Sequence, residues 1–203
     1  MNPLTHLLAS WIIAAKTTDN LRDRRLVTLA GVVPDLDGLG IVLDYAKGAY
    51  ASGNFYYYPQ YHHLLSHGLP AAVACSLLMA ALARRRWRVL WLSFLTFHLH
   101  LLCDLAGSRG PDKGDIWPIF YLAPLPLRHQ PMWMWRHQWP LEGWQNWAIT
   151  MALFVWALLL AVRKGDSFVG VFNHRFDRVF VGVLRKWHGQ MWMGKDDSNV
   201  TKN

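Results

Sequence analysis

Six His and three Asp lie in stretches that are otherwise almost purely apolar. They form four clusters: Thr5-His6, Pro34-Asp35-Leu36-Asp37, His62-His63-x-x-Ser66-His67, and His98-x-His100-x-x-x-Asp104. Val32, Val33 and Leu36 surround Asp35, and Leu101, Leu102 and Leu105 surround Asp104. A carboxylate in such surroundings carries a large desolvation penalty unless something positive meets it. A divalent metal shared by His nitrogens and Asp oxygens is the simplest such partner.

The spacings fit that chemistry. His100 and Asp104 are i, i+4 on a predicted helix and project from one face, and His63 and His67 have the same spacing. His62 and His67 are i, i+5 and still converge if the segment begins in a loop. Asp35 and Asp37 are i, i+2, too far apart around a helix to share a face. They fit a non-helical turn, and Pro34 favours an extended residue before it. Each cluster has a plainer explanation as well: a lone His can be a satisfied core residue, and Asp35 could cap the following helix. Four clusters in one short chain weigh toward a metal site.

The same residues resemble the YdjM-like family of membrane-bound metal-dependent hydrolases. The matching pattern is Thr5-His6-Leu7-Leu8, then "PDLD" (Pro34 to Asp37), then His62, Ser66 and His67 in "H-x4-[ST]-H". After these come His100 and Asp104 in "H-x3-D", leading to Trp117-Pro118. The likeness covers residues 1 to about 120. The family's "HRGxTH" run reads His62-His63-Leu64-Leu65-Ser66-His67 here, without its Arg-Gly pair. The order of ligands is also similar to that of zinc-dependent phospholipase C and related nucleases. The resemblance implies a hydrolase and names no bond.

The elements that must carry these residues are apolar. Hydrophobic residues make up 53% of the chain and charged ones 17%, which is low for a soluble domain. Apolar runs cover 4–15, 26–43, 69–83, 89–105 and 144–162. The best span is Trp144 to Val162, with Trp144 and Trp147 at one end and Arg163-Lys164 at the other. His6 lies inside the first run and no basic region precedes it, so a cleavable signal is not expected. We expect an all-α, polytopic helical membrane protein of about five apolar helices. The metal site lies between helices, and a bundle like that of zinc phospholipase C is one form it could take. Residues 1–165 form the membrane and metal-site domain. The tail places Phe168, Phe172, Phe176, Phe180 and Leu184 at a four-residue step, giving a basic amphipathic helix over 166–193. Residues 194–203 are expected to be disordered.

Basic residues supply an independent test. With the N-terminus outside, Lys16, Arg22, Arg24 and Arg25, then Arg84, Arg85, Arg86 and Arg88, then Arg163 and Lys164 all fall inside. The expected location is the inner membrane, with cytoplasmic basic loops and tail and the site toward the outer face. His6, Asp35 and His100 then lie at a common depth, about 15–18 Å from the basic face at 1.5 Å per helical residue. The net charge of +8 suits membrane lipids, and no nucleic-acid partner is expected. Cys75 and Cys103 read as buried free thiols. The segment 55–61 is an expected interfacial loop, and 106–143, with Trp117, Tyr121, Trp133, Trp135 and Trp139, an expected outer loop or lid. His129, His137 and Glu142 lie within it. Glu142 is a candidate base or, more simply, a surface residue before a helix.

The expected metal ligands are His6, Asp35, Asp37, His62, His67, His100 and Asp104. Seven groups exceed the four of a closed structural zinc site and suit one to three ions, zinc first among them, with open positions. There a metal-activated water could attack a phosphoester or ester of a lipid-like substrate, with Asp37 or Asp104 bridging or taking its proton. The competing class is a non-catalytic membrane protein whose cluster is structural or metal-sensing.

Overall fold

A computed structural model describes residues 1–48, 52–54, 56–57, 62, 66–125 and 131–200. Among them the chain is mostly helical. Helix α1 (Pro3–Thr17) starts where the Asn2 side chain accepts the Thr5 amide at 2.9 Å and Pro3 occupies the first turn. Both are standard starts: the cap satisfies an orphan amide, and proline lacks the donor that would be orphaned. Helix α2 (Leu21–Ala30) begins on Asn20 in the same way and stops at Gly31. A 3-10 helix (Val33–Leu39) then leads into α3 (Gly40–Ala46).

Helix α4 (Leu69–Leu82) packs along α5 (Arg86–Gly107), and α6 (Trp144–Lys164) packs against α1. The turn between α4 and α5 is fixed by buried Asp23, whose two oxygens accept the Arg84 and Arg85 amides at 2.8 and 3.1 Å. Helix α6 ends at Gly165 with φ 82°, after Arg163 and Lys164 in its last turn. Gly supplies that left-handed cap without a Cβ clash, and the cations face the negative end of the helix dipole.

Two cores result. One joins α2, α4 and α5 through Val27, Ala30, Ala72, Val89, Phe97 and Leu101. The other joins α1, α6 and the C-terminal helix α7 (His174–Val200) through Leu8, Trp11, Ile12, Ala157 and Val181. The outward faces of α5 and α6 stay apolar, with Trp91, Leu95, Trp147, Val155 and Leu159 exposed. Exposed stripes of that kind suit lipid.

The five apolar runs do not become five spans. Among the described residues two helices, α5 and α6, are long and apolar enough to cross a membrane, or three spans result if α2 and the 33–46 segment count as one span bent by 51°. The run 26–43 breaks because Gly31, Pro34, Gly38 and Gly40 interrupt it. The tail also departs from a single helix. Residues Phe168–Val171 form a 3-10 turn, and α7 restarts where Asn173 accepts the Arg175 and Phe176 amides. Phe168 and Phe180 therefore turn inward, edge to face at 6.1 Å, whereas Phe172 and Phe176 are exposed. Helix α7 runs on to Val200, into the segment expected to be disordered, and no proline interrupts it.

The described residues of the expected lid, 106–125 and 131–143, are fixed by specific contacts. Strands β1 (Ile119–Phe120) and β2 (Met132–Trp133) pair antiparallel with Ile119 opposite Trp133. Asn146, buried at the start of α6, accepts the Trp139 indole at 2.6 Å and donates to the carbonyls of Gly107 and Leu141. Gly68 lets the lid approach, since a Cβ there would lie 2.6 Å from the Ala123 carbonyl oxygen. Of the expected 55–61 loop, only Tyr56 and Tyr57 are described, and their amides bond buried Asp44 at 2.9 and 2.8 Å.

Candidate metal centre

All seven expected ligands meet at one end of the bundle. Helix α1 contributes His6, the 3-10 helix Asp35 and Asp37, the bend before α4 His62 and His67, and α5 His100 and Asp104. Asp104 lies at the centre: its oxygens are 3.1 Å from His6 Nε2, 3.0 Å from His100 Nε2 and 3.4 Å from His67 Nε2. Ser108, one turn later, donates to it at 3.0 Å, and the Met1 nitrogen also lies against it. His6 and His100 stack with ring centroids 3.7 Å apart. His6, His67 and His100 are at most 1% exposed.

Three overlapping groups place one ligand atom per residue within 4.8 Å of one another: His6/His100/Asp104, Asp35/His67/His100 and Asp37/His62/His67. Each could hold a metal ion. The donor set fits such an ion, because it combines neutral nitrogens and carboxylate oxygens at tight spacing in a buried site.

Hydrogen bonds behind the cluster aim these atoms. His100 Nδ1 donates to the Gly31 carbonyl at 2.9 Å. In the neutral ring this leaves the Nε2 lone pair directed at Asp104 and, at 3.7 Å, at Asp35. His100 Nε2 and Asp35 Oδ2 are buried and have no hydrogen bond among the described residues. A lone pair facing carboxylate oxygens is repulsive, and a shared cation removes the repulsion. Asp37 holds the other side. Its oxygens accept from His62 Nδ1 at 2.8 Å, His67 Nδ1 at 2.9 Å and the Ser66 amide at 3.1 Å. Burial disfavours the His67 imidazolium, but hydrogen bonds to Asp104 and Asp37 and the charge of both outweigh it, raising its pKa to about 9 without metal.

A cavity of about 490 Å³ opens beside the cluster. Asp35, His62 and Asp104 form one wall, Leu39, Trp117 and Leu141 supply apolar surface, and Arg109 is its one cationic side chain among the described residues. Asp37 is not in that lining. Of the two acids expected to bridge or take a proton, Asp104 borders the cavity, whereas the oxygens of Asp37 accept from His62, His67 and the Ser66 amide. Trp117 of the lid meets the His62 ring edge-on at 5.7 Å.

Other expected residues stand apart. His98 bonds the Phe94 carbonyl and the Tyr121 hydroxyl, tying α5 to the lid. His137 and Glu142 are exposed, while His63 and His129 lie outside the described residues. Cys75 is buried as expected, but Cys103 is only half-buried. Sequence reasoning missed Arg109 and the Gly31 carbonyl. Arg109 could have been suspected from its place five residues after Asp104. A backbone carbonyl leaves no signature in residue type.

The fold and site thus define a membrane protein of apolar helices with a buried His/Asp cluster able to hold metal. A family model described as YdjM inner membrane protein matches residues 1–173, and the chain belongs to that family. No curated protein and no solved structure matches it.

Proposed function

We propose that the cluster is a divalent-metal centre, zinc being the first choice, in a membrane-bound hydrolase acting on a phosphoester or ester of a lipid-like substrate. The observation that carries this reading is the orientation of His100. Its Nδ1 is committed to the Gly31 carbonyl and its Nε2 points at two carboxylates. An imidazolium buried between helices carries a heavy desolvation cost, whereas a metal takes lone pairs from several rings at once. Two of the three groups share no residue, so His6, His100 and Asp104 would hold one ion and Asp37, His62 and His67 a second.

A bound ion supplies Lewis acidity, polarising a substrate oxygen and making water acidic near neutral pH. The chain's residues do the rest. Asp35 borders both the cluster and the cavity and takes the proton of an attacking water. Arg109 faces the same cavity and is held by the Gln138 carbonyl at 3.1 Å, so it is positioned for a phosphate oxygen. Leu39, Leu141 and Trp117 accommodate the apolar part of the substrate, and the lid limits water.

The proposed orientation puts this site toward the outer face. It is supported by the separation along each helix of His6 from Lys16, of Gly31 from Arg22, and of Asp104 from Arg88.

The test is elemental analysis of purified protein, combined with assays on bis(p-nitrophenyl) phosphate, phosphatidylglycerol and p-nitrophenyl acetate. Bound metal with turnover that Asp35→Asn abolishes supports the reading. Bound metal without turnover on any of them assigns the cluster to a structural or sensing role, and metal-free folded protein overturns it.

A further inference from the structure

The opposite end of the bundle carries a second site. A groove of about 860 Å³ lies where α2 begins, between the α4–α5 turn and the 3-10 turn before α7. Its floor is apolar, made by Leu26, Leu29 and Val171, and its rim carries Arg22, Arg25 and Arg84. Asp19 is its one acid. Among the described residues none of the three guanidiniums makes a hydrogen bond or ion pair. Neighbouring Arg24, by contrast, is buried, paired with Asp166 and bonded to the Thr18 carbonyl at 2.9 Å. One arginine is thus used by the fold, and three are left facing a groove without an anion.

We propose that this groove binds an anionic glycerophospholipid, its phosphate between Arg22, Arg25 and Arg84 and its acyl chain along Leu26 and Leu29. Three guanidiniums matched by one carboxylate call for a negative ligand, and Arg suits phosphate through its planar fork of donors. The apolar floor selects a lipid over a soluble anion, since a free phosphate would leave that surface unused. Both features sit together at the basic end of the apolar helices, where an anionic leaflet would present such headgroups. Among the described side chains of the C-terminal helix the one acid, Asp177, is buried and already bonded to Ser167, while Arg175, Arg178, Arg185 and Lys186 add further positive charge. The site uses none of the metal-centre residues, so it stands or falls separately from the hydrolase reading.

Native mass spectrometry of detergent-purified protein titrated with phosphatidylglycerol or phosphatidylcholine tests the proposal. Wild type should retain phosphatidylglycerol in preference. Replacing Arg22, Arg25 and Arg84 together with Gln should weaken that retention at least fivefold. Replacing Arg85, Arg86 and Arg88, equal in charge, at the same end and outside the groove, should change it less than twofold. Equal loss in both triple variants would reduce the effect to diffuse attraction and overturn the site. So would displacement of the lipid by millimolar inorganic phosphate, or equal retention of phosphatidylcholine. Should the first triple variant fail to fold, the single exposed changes Arg22→Gln and Arg84→Gln carry the same test, each expected to weaken retention about twofold.

Discussion

Gly31→Ala is the most informative single change outside the ligands, because it connects packing to the metal centre. The carbonyl of Gly31 accepts His100 Nδ1 at 2.9 Å. A Cβ at Gly31 would lie 1.8 Å from Ser10 Oγ, 2.7 Å from Ser10 Cβ and 3.3 Å from Thr96 Cβ. Rotating Ser10 moves the hydroxyl but not its Cβ. Carbon contacts settle at about 3.5–4.0 Å, so the shortfall against Ser10 Cβ is roughly 0.8–1.3 Å. Thr96 blocks retreat toward α5. Either α1 moves, withdrawing His6 from Asp104, or the Gly31 backbone moves and stretches its bond to His100 beyond hydrogen-bonding range. The expected cost is about 1–3 kcal/mol of stability from overpacking. The expected loss in zinc affinity is about 10–100-fold, as for other disrupted ligand supports, measured by competition with a calibrated chelator. Ser10→Gly on the Gly31→Ala background removes both clashing atoms and should restore affinity to near wild type. It would still cost about 1 kcal/mol of helix stability. Ser10→Ala leaves the 2.7 Å contact and should rescue only in part. Wild-type affinity in folded Gly31→Ala, or no recovery on adding Ser10→Gly, would refute this support of His100.

Asp37→Asn replaces one acceptor by a donor facing His67 and Ser66, and should lower zinc affinity about 10–100-fold. Asp35→Asn should retain more metal yet lose turnover, so equal metal loss in the two variants would remove the distinction between orienting and reacting acids. Without metal, the raised pKa of His67 stabilises the fold fully below about pH 6.5, and that contribution disappears as pH rises through about 9. A metal must displace that proton, so zinc stabilisation should grow over the same window; melting curves with and without chelator from pH 6.5 to 8.5 should diverge. Asn146→Ala leaves the buried Gly107 carbonyl without its Asn146 donor, at roughly 1–3 kcal/mol for the unsatisfied group, and should loosen the lid in hydrogen exchange. A reporter inserted after Arg88 should read cytoplasmic and one near Gly110 periplasmic; the reverse would invert the orientation and leave the metal centre intact.

The set of residues that meet in the cluster was legible because residue type conflicted with surroundings. Asp104 among leucines and His6 within an apolar run had to be explained by something polar, and each other proved to be the explanation. Counting residues from Lys16, Arg25 and Arg88 gave His6, Asp35 and His100 similar distances along the chain, and the three do meet; the same count from Arg84 set His67 apart, although it lies 3.4 Å from Asp104. The break in 26–43 was hidden because average hydropathy stays high across Gly31 and Pro34, although those residues end the helix. The even spacing of Phe168 to Leu184 was misleading for a related reason. Asn173 competes for the backbone amides of the next turn, restarts the helix, and turns Phe172 outward. The i, i+2 pair suggested that Asp35 and Asp37 have different tasks, but the proposed assignment was not legible in the sequence. It depends on which carboxylate meets two imidazole Nδ1 atoms and which one borders the cavity.

The position of the cluster bears on why structural and catalytic roles need not compete here. Apolar helices in lipid gain little from hydrophobic association, so polar contacts between them carry more of the specificity. Helices α1 and α5 are joined by His6 and Asp104, α5 and the α2 terminus by His100 and Gly31, and the 3-10 helix and the bend before α4 by Asp37, His62 and His67. Metal bound at these residues would therefore contribute to folding whatever else it does. The cavity that opens beside Asp35 and Asp104, with Arg109 in its wall, favours the proposed catalytic role over a purely structural one. On the proposed reading the two roles separate at Asp35. It borders the cavity, and its Oδ2 has no hydrogen bond among the described residues, so its charge can be removed with the least damage to the contacts that hold the bundle together.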